Sequence, residues 1–144
     1  MKKSGWFAMA ALLLAGCSDW MIGPGMADFS AELCGGYSVW RTSAHQITIH
    51  RNDSAPRIPA KVCELGHDHR FIIAKQNHLK LRSLDPQDGY EEPDPGVFSY
   101  WILDTDGPTA YGPMTLEEFL QKRRELGVPD SITLKDVYEY DNRK

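Results

Sequence analysis

Between Tyr37 and Asp104 the apolar residues fall in short runs with a period near two, broken by turn-forming residues. In "HQITIHR" (45–51) Ile47 and Ile49 share one face, and Gln46, Thr48 and His50 share the other. That alternation predicts a strand with one buried side. "YSVWR" (37–41) precedes it across a short polar link, so the two predict a hairpin. "RIPAKVCEL" (57–65) predicts a third strand, with Pro59 at an edge or near its start. Gly66 to His69 reads as a turn. "RFIIAKQ" (70–76) is more uniformly apolar and predicts a central strand, which "HLKLRSL" (78–84) extends. Asp85 to Gly96 holds three prolines, two glycines and five carboxylates and reads as a loop. "FSYWILD" (98–104) is the strongest strand pattern, and Asp104 to Pro113 is rich in turn residues.

The period then changes. Leu116, Phe119, Leu120 and Leu126 form an apolar face with helical spacing. Thr115 followed by Glu118 is a capping box, and Met114 with Phe119 has the spacing of a hydrophobic staple. Glu117 and Glu118 lie near the start and Lys122, Arg123 and Arg124 toward the end, as the helix dipole favours. Gly127 and Pro129 end the helix. A last helical turn is expected within Leu134 to Tyr138. Strands followed by one helix predict an α+β fold: a small antiparallel sheet of about five strands with a C-terminal helix packed on it. Residues 33–144 form the single domain of this reading, and 17–32, with Gly23, Pro24 and Gly25, form a tether.

The first residues follow neither period. Lys2 and Lys3 precede an apolar run from Trp6 to Leu14, the layout of a secretory signal. The run is shorter than the roughly 20 residues that span a bilayer. Leu14-Ala15-Gly16-Cys17 ends it and resembles the lipobox of bacterial lipoproteins. The resemblance implies removal of residues 1–16, diacylglyceryl transfer to the Cys17 thiol, and acylation of its freed amine in many bacteria. Two or three chains anchor durably, where one binds only marginally. The bilayer is thus the expected partner, through Cys17. Ser18 in place of aspartate points to the outer membrane, facing the periplasm; Asp19, one position later, leaves inner-membrane sorting open.

The formal charge is −4, and removing Lys2 and Lys3 with the leader takes it to −6. An acidic chain argues against nucleic acid and against electrostatic membrane binding. Three cysteines occur, and acylation of Cys17 leaves Cys34 and Cys63 as an even pair in an oxidising compartment. A Cys34–Cys63 disulfide is expected, closing a loop of about 30 residues and contributing about 3 to 4 kcal/mol. The alternative is two buried free thiols.

No cofactor motif, phosphate loop or nucleophile elbow is present. His67-Asp68-His69 has ligand-bearing side chains, but a third ligand from His45, His50 or His78 cannot be placed by spacing. Asp104-Thr105-Asp106-Gly107 opens like a calcium loop without completing its pattern. Ser43 and His45 sit too close in sequence to build a triad. Tyr37, Trp40, Phe98, Tyr100 and Trp101 can line a ligand groove or fill a core. "FIIAKQ" (71–76), "YWILD" (100–104) and "YGPMTLEEFLQKRRELGVP" (111–129) resemble a family of small bacterial lipoproteins of unknown function. That resemblance implies the fold and the anchor and transfers no catalytic residue. The reading is a non-catalytic envelope lipoprotein with no catalytic, cofactor-binding or metal-binding residue, binding a protein or ligand partner. Its alternatives are an immunity-type protein that neutralises a toxin and a His-dependent metal protein or hydrolase.

Overall fold

The structure, a computed structural model, describes residues 28–142 apart from 53, 86 and 108. The leader and Cys17 lie outside the described residues. Strands β1 (Phe29–Glu32), β2 (Tyr37–Arg41) and β3 (Ile47–Arg51) form an antiparallel sheet with β2 in the middle. Strands β4 (Val62–His67), β5 (Phe71–Leu81), β6 (Glu91–Asp104), β7 (Thr109–Met114) and β8 (Lys135–Asp136) form a second antiparallel sheet in the order β7-β6-β5-β4-β8. Helix α1 (Leu116–Leu126) lies against β6 and β7, and a 3₁₀ turn spans Val137–Tyr140.

The fold is therefore mostly β, with two sheets and one helix, rather than α+β on a single sheet of about five strands. Alternation shows that a strand buries one face but not against what. Here the first three strands bury Phe29, Ala31, Tyr37, Val39, Ile47 and Ile49 against Val62, Leu65, Ile72, Ala74, Trp101 and Leu103 of the larger sheet. Ile58 joins this core and bridges to Ile49. The opposite face of the larger sheet offers Phe71, Ile73 and Ile102 to Phe119, Val128 and Ile132.

Several boundaries differ from the expectation. β1 takes the last four residues of the stretch read as tether. Gly66 and His67 belong to β4, not to a turn. A Cβ at Gly66 would collide with the Thr133 carbonyl oxygen, so glycine there lets the C-terminal segment reach the sheet edge. Residues 70–84 yield one long strand, β5, with a bulge between Asn77 and Leu79. The Asn77 amide bridges the irregular stretch of β6 by donating to the Asp94 and Val97 carbonyls at 2.8 and 3.0 Å. Much of the proline-rich segment is thereby strand: Pro93 faces Leu79 and Glu91 faces Leu81. The turn-rich residues before α1 supply β7, an edge strand that tolerates Pro113.

The helix forms as its ends dictate. Thr115 Oγ1 accepts from the Glu118 N–H at 3.3 Å, Glu118 Oε2 accepts from the Thr115 N–H at 2.8 Å, and Gly127 closes the helix at φ 69°. Phe119 is buried and stacks on Tyr100 with ring centroids 5.1 Å apart. Met114 packs into the same cluster, whereas Leu116 and Leu120 remain 51% and 45% exposed, so the buried stripe is narrower than the apolar pattern implied.

Urea unfolding is expected to show a loss of about 1 kcal/mol for Thr115→Ala, as for a removed N-cap. Gly66→Ala should cost more, about 3 kcal/mol, because the colliding atom is backbone and cannot rotate away. Equal costs for the two substitutions would contradict the tight fit at Gly66.

Candidate functional site

The register of the small sheet sorts its outward side chains into two rows. Glu32 faces Ser38, and Ser38 faces His50; in the next row Ser30 faces Trp40, and Trp40 faces Thr48. The intervening positions of β1–β3 point into the core, which leaves these six on the opposite side. Trp40 and His50 are diagonal neighbours and stack, with centroids 4.9 Å apart and planes 24° apart. The imidazole is held at both nitrogens. Nδ1 lies 2.9 Å from the Ser54 carbonyl and Nε2 lies 2.6 Å from Thr48 Oγ1. In the neutral ring Nδ1–H donates to that carbonyl and Nε2 accepts from the hydroxyl. Ser38 has imidazole and carboxylate neighbours in its row, yet His50 has no spare nitrogen with which to activate it.

Trp40 forms part of the wall of two clefts. One, of about 220 Å³, is lined by Glu32, Leu33, Ser38, His50 and Asn52 among others. The second, of about 310 Å³, is lined by Asp28, Phe29, Ser30, Arg41 and Thr42. The five aromatics named from the sequence thus divide. Tyr37 and Trp101 are buried, Tyr100 meets the helix, Phe98 is largely exposed, and Trp40 stands at the clefts.

The remaining sequence candidates have structural partners. Asp68 Oδ1 accepts from the N–H groups of Arg70 and Phe71, both at 2.7 Å, and so closes the β4–β5 turn. Partial burial pulls its carboxyl up, but those two N–H groups outweigh it and hold it below the ordinary range. His67 contacts the Asp68 carbonyl and His69 is exposed. Asp104 is clamped by Arg70 through Nε at 2.9 Å and an η nitrogen at 2.8 Å, which lowers its pKa. Asp106 joins the same guanidinium at 3.1 Å. The residues that opened like a calcium loop therefore tie β5 to the β6–β7 turn. In the acidic segment, Arg82 grips Asp88 and Lys80 pairs with Asp94. Among the described residues, no group of three or more His, Cys, Asp or Glu is placed to hold a metal ion.

Cys34 and Cys63 are free thiols rather than a disulfide. Cys34 donates to the Phe71 carbonyl at 3.9 Å and Cys63 to the Lys75 carbonyl at 3.3 Å. Those carbonyls are four residues apart on an extended strand, roughly 13 Å, too far for the two sulfurs to meet at bonding distance. An even count of cysteines cannot report that separation. Burial, aided by the Asp68 carboxylate, pushes the Cys34 thiol up to about 11, and burial likewise raises Cys63.

The model of a family of proteins of unknown function, DUF3997, matches residues 34–138. The chain belongs to that family. The match covers both clefts' Trp40 and the whole of the larger sheet, and begins after β1. No curated protein matches the DUF3997 chain, and no solved structure does.

A buried polar row in this DUF3997 domain escaped the sequence reading. Gln76 faces Ser99 across β5 and β6; its amide donates to the Ala60 carbonyl and accepts from Trp101 Nε1, both at 2.8 Å. His78 Nε2 lies 2.6 Å from Ser99 Oγ. Ser99 is only 8% exposed, which suits a core contact better than attack on a substrate. Only the strand pairing brings these residues together, so no linear spacing announces them.

Both Asp68 and Asp104 have folded pKa values below their unfolded ones. Their contribution is therefore present above the unfolded value and is lost as pH falls through the folded one. Urea unfolding at pH 7, 5 and 3 should show stability declining below about pH 4, and Asp104→Asn should both lower stability at pH 7 and flatten that decline. For the thiols, alkylation without reductant should label Cys34 and Cys63 fully in denaturant. In the native protein at pH 8, Cys34 should react far more slowly, because about one thiol in a thousand is ionised.

Proposed function

We propose that the chain is a lipid-anchored, non-catalytic binding protein of the bacterial cell envelope. In this reading residues 1–16 are removed, Cys17 carries the acyl chains, and the domain is held at the outer membrane facing the periplasm, where it binds a ligand or protein partner. The apolar leader ending in Leu14-Ala15-Gly16-Cys17 supports the anchor. The observation that carries the binding reading is Trp40, stacked on His50 and shared by the walls of two clefts. An imidazole committed at both nitrogens holds a ring in place and leaves no free base for proton transfer. A rigid aromatic side chain offers contact area at little entropic cost, which favours recognition.

Cys17→Ala is expected to abolish labelling with radioactive palmitate and to leave the precursor uncleaved or cut elsewhere. Persisting label and membrane fractionation in that variant would rule the anchor out. The binding reading also requires that Trp40 be dispensable for folding. Trp40→Ala should cost about 1 kcal/mol, the order of an aromatic stacking contact, against about 3 to 5 kcal/mol for the buried Trp101→Ala. Equal costs in urea unfolding would make Trp40 a structural residue.

A further inference from the structure

We infer that the paired clefts around Trp40 bind a glycan, one pyranose ring in each, with the indole between them. This rests on the binding reading above and names its ligand class. The two clefts are of about 220 and 310 Å³, at or below the lower end of the range for drug-sized ligands, so each suits a single ring. The first cleft is mainly polar and the second mainly apolar, but each carries hydrogen-bonding side chains. Glu32, Ser38 and Asn52 serve one cleft and Asp28, Ser30 and Thr42 serve the other. Each set combines a carboxylate, which accepts two hydroxyl protons, with groups that both donate and accept. Trp40 is common to both and supplies an apolar surface.

A pyranose matches that arrangement: its C–H face is apolar and its rim carries hydroxyls. Other ligand classes match it less well. Anions would meet an exposed carboxylate in each cleft, and the one cation in the linings, Arg41 of the second cleft, is buried. A wholly apolar ligand would cover the polar lining of the first cleft without satisfying it. A cation would gain little from Glu32 and Asp28, which are exposed, since such pairs are worth little in water. The His50 ring covers one face of the indole, so the sugar meets its other face and its edges. Asp28 also lies eleven residues beyond Cys17, a span of at most about 40 Å of extended chain. An anchored protein would hold this surface close to the bilayer and to the glycans of the envelope.

The test uses full-length protein in phosphatidylethanolamine–phosphatidylglycerol vesicles, titrated with N,N′,N″-triacetylchitotriose, maltotriose and tetramethylammonium, and read by saturation-transfer NMR. Binding of either trisaccharide is expected, with the affinity falling about tenfold or more in Trp40→Ala and by a smaller factor in Glu32→Gln and Asp28→Asn. Absence of trisaccharide binding at about 10 mM, a regime of millimolar affinities, overturns the inference. So does binding that Trp40→Ala leaves unchanged. Trp40-dependent binding of tetramethylammonium without either trisaccharide overturns the glycan assignment while leaving the binding reading standing. A circular dichroism spectrum of each variant, matching that of the parent, separates lost contacts from lost fold.

Discussion

The structure depends on β5 being buried on both faces. Phe71 and Ile73 face the helix, while Ile72 and Ala74 face the small sheet. A single run of apolar residues thus holds three layers together, and β6 repeats the arrangement through Ile102 on one side and Trp101 and Leu103 on the other. Removing large side chains from either face leaves cavities in a close-packed interior. The two cores share this strand pair, so neither the helix nor the small sheet has an independent foundation.

Polar groups finish the ends of that strand pair. At one end Arg70 holds Asp104 and Asp106 while Asp68 caps the turn into β5. At the other, Asn77 spans the bulge, and beyond it Lys80 and Arg82 reach Asp94 and Asp88 across the hairpin. Bases at the end of β5 and just beyond it thereby partner acids that lie in a base-free stretch of sequence. The arm also keeps Leu81, Leu84 and Tyr90 in water, with Arg82 4.8 Å from the Tyr90 ring centroid. The strong network lies at the Arg70 end, where Asp104 is nearly buried; the arm's pairs are more exposed and contribute less.

The Trp40 surface stands apart from both ends. It lies on the side of the small sheet turned away from the core, and its geometry follows from the backbone register of three short strands. Because β2 is central, its side chains have neighbours on both sides, which is how Trp40 comes to meet serine, threonine and histidine at once. The core beneath supplies rigidity through Val39, Ile47 and Ile49, none of them exposed to solvent. The core and Trp40 lie on opposite faces of the same strands.

What the sequence determined by itself was local. The helix and its caps were legible because Thr115, Glu118 and Gly127 act within one turn of their own position. The β2 boundaries and the inward placing of Ile47 and Ile49 were legible because alternation is intrinsic to an extended backbone. The tertiary structure decided everything that required a partner distant in the chain. It split the strands between two sheets, put Trp101 inside and Trp40 outside, set Cys34 and Cys63 against carbonyls four residues apart, and gave Asp104 to Arg70. The physical reason is the same in each case. A period reports that one face is buried, whereas pairing and register, which are non-local, choose what buries it and which side chains meet.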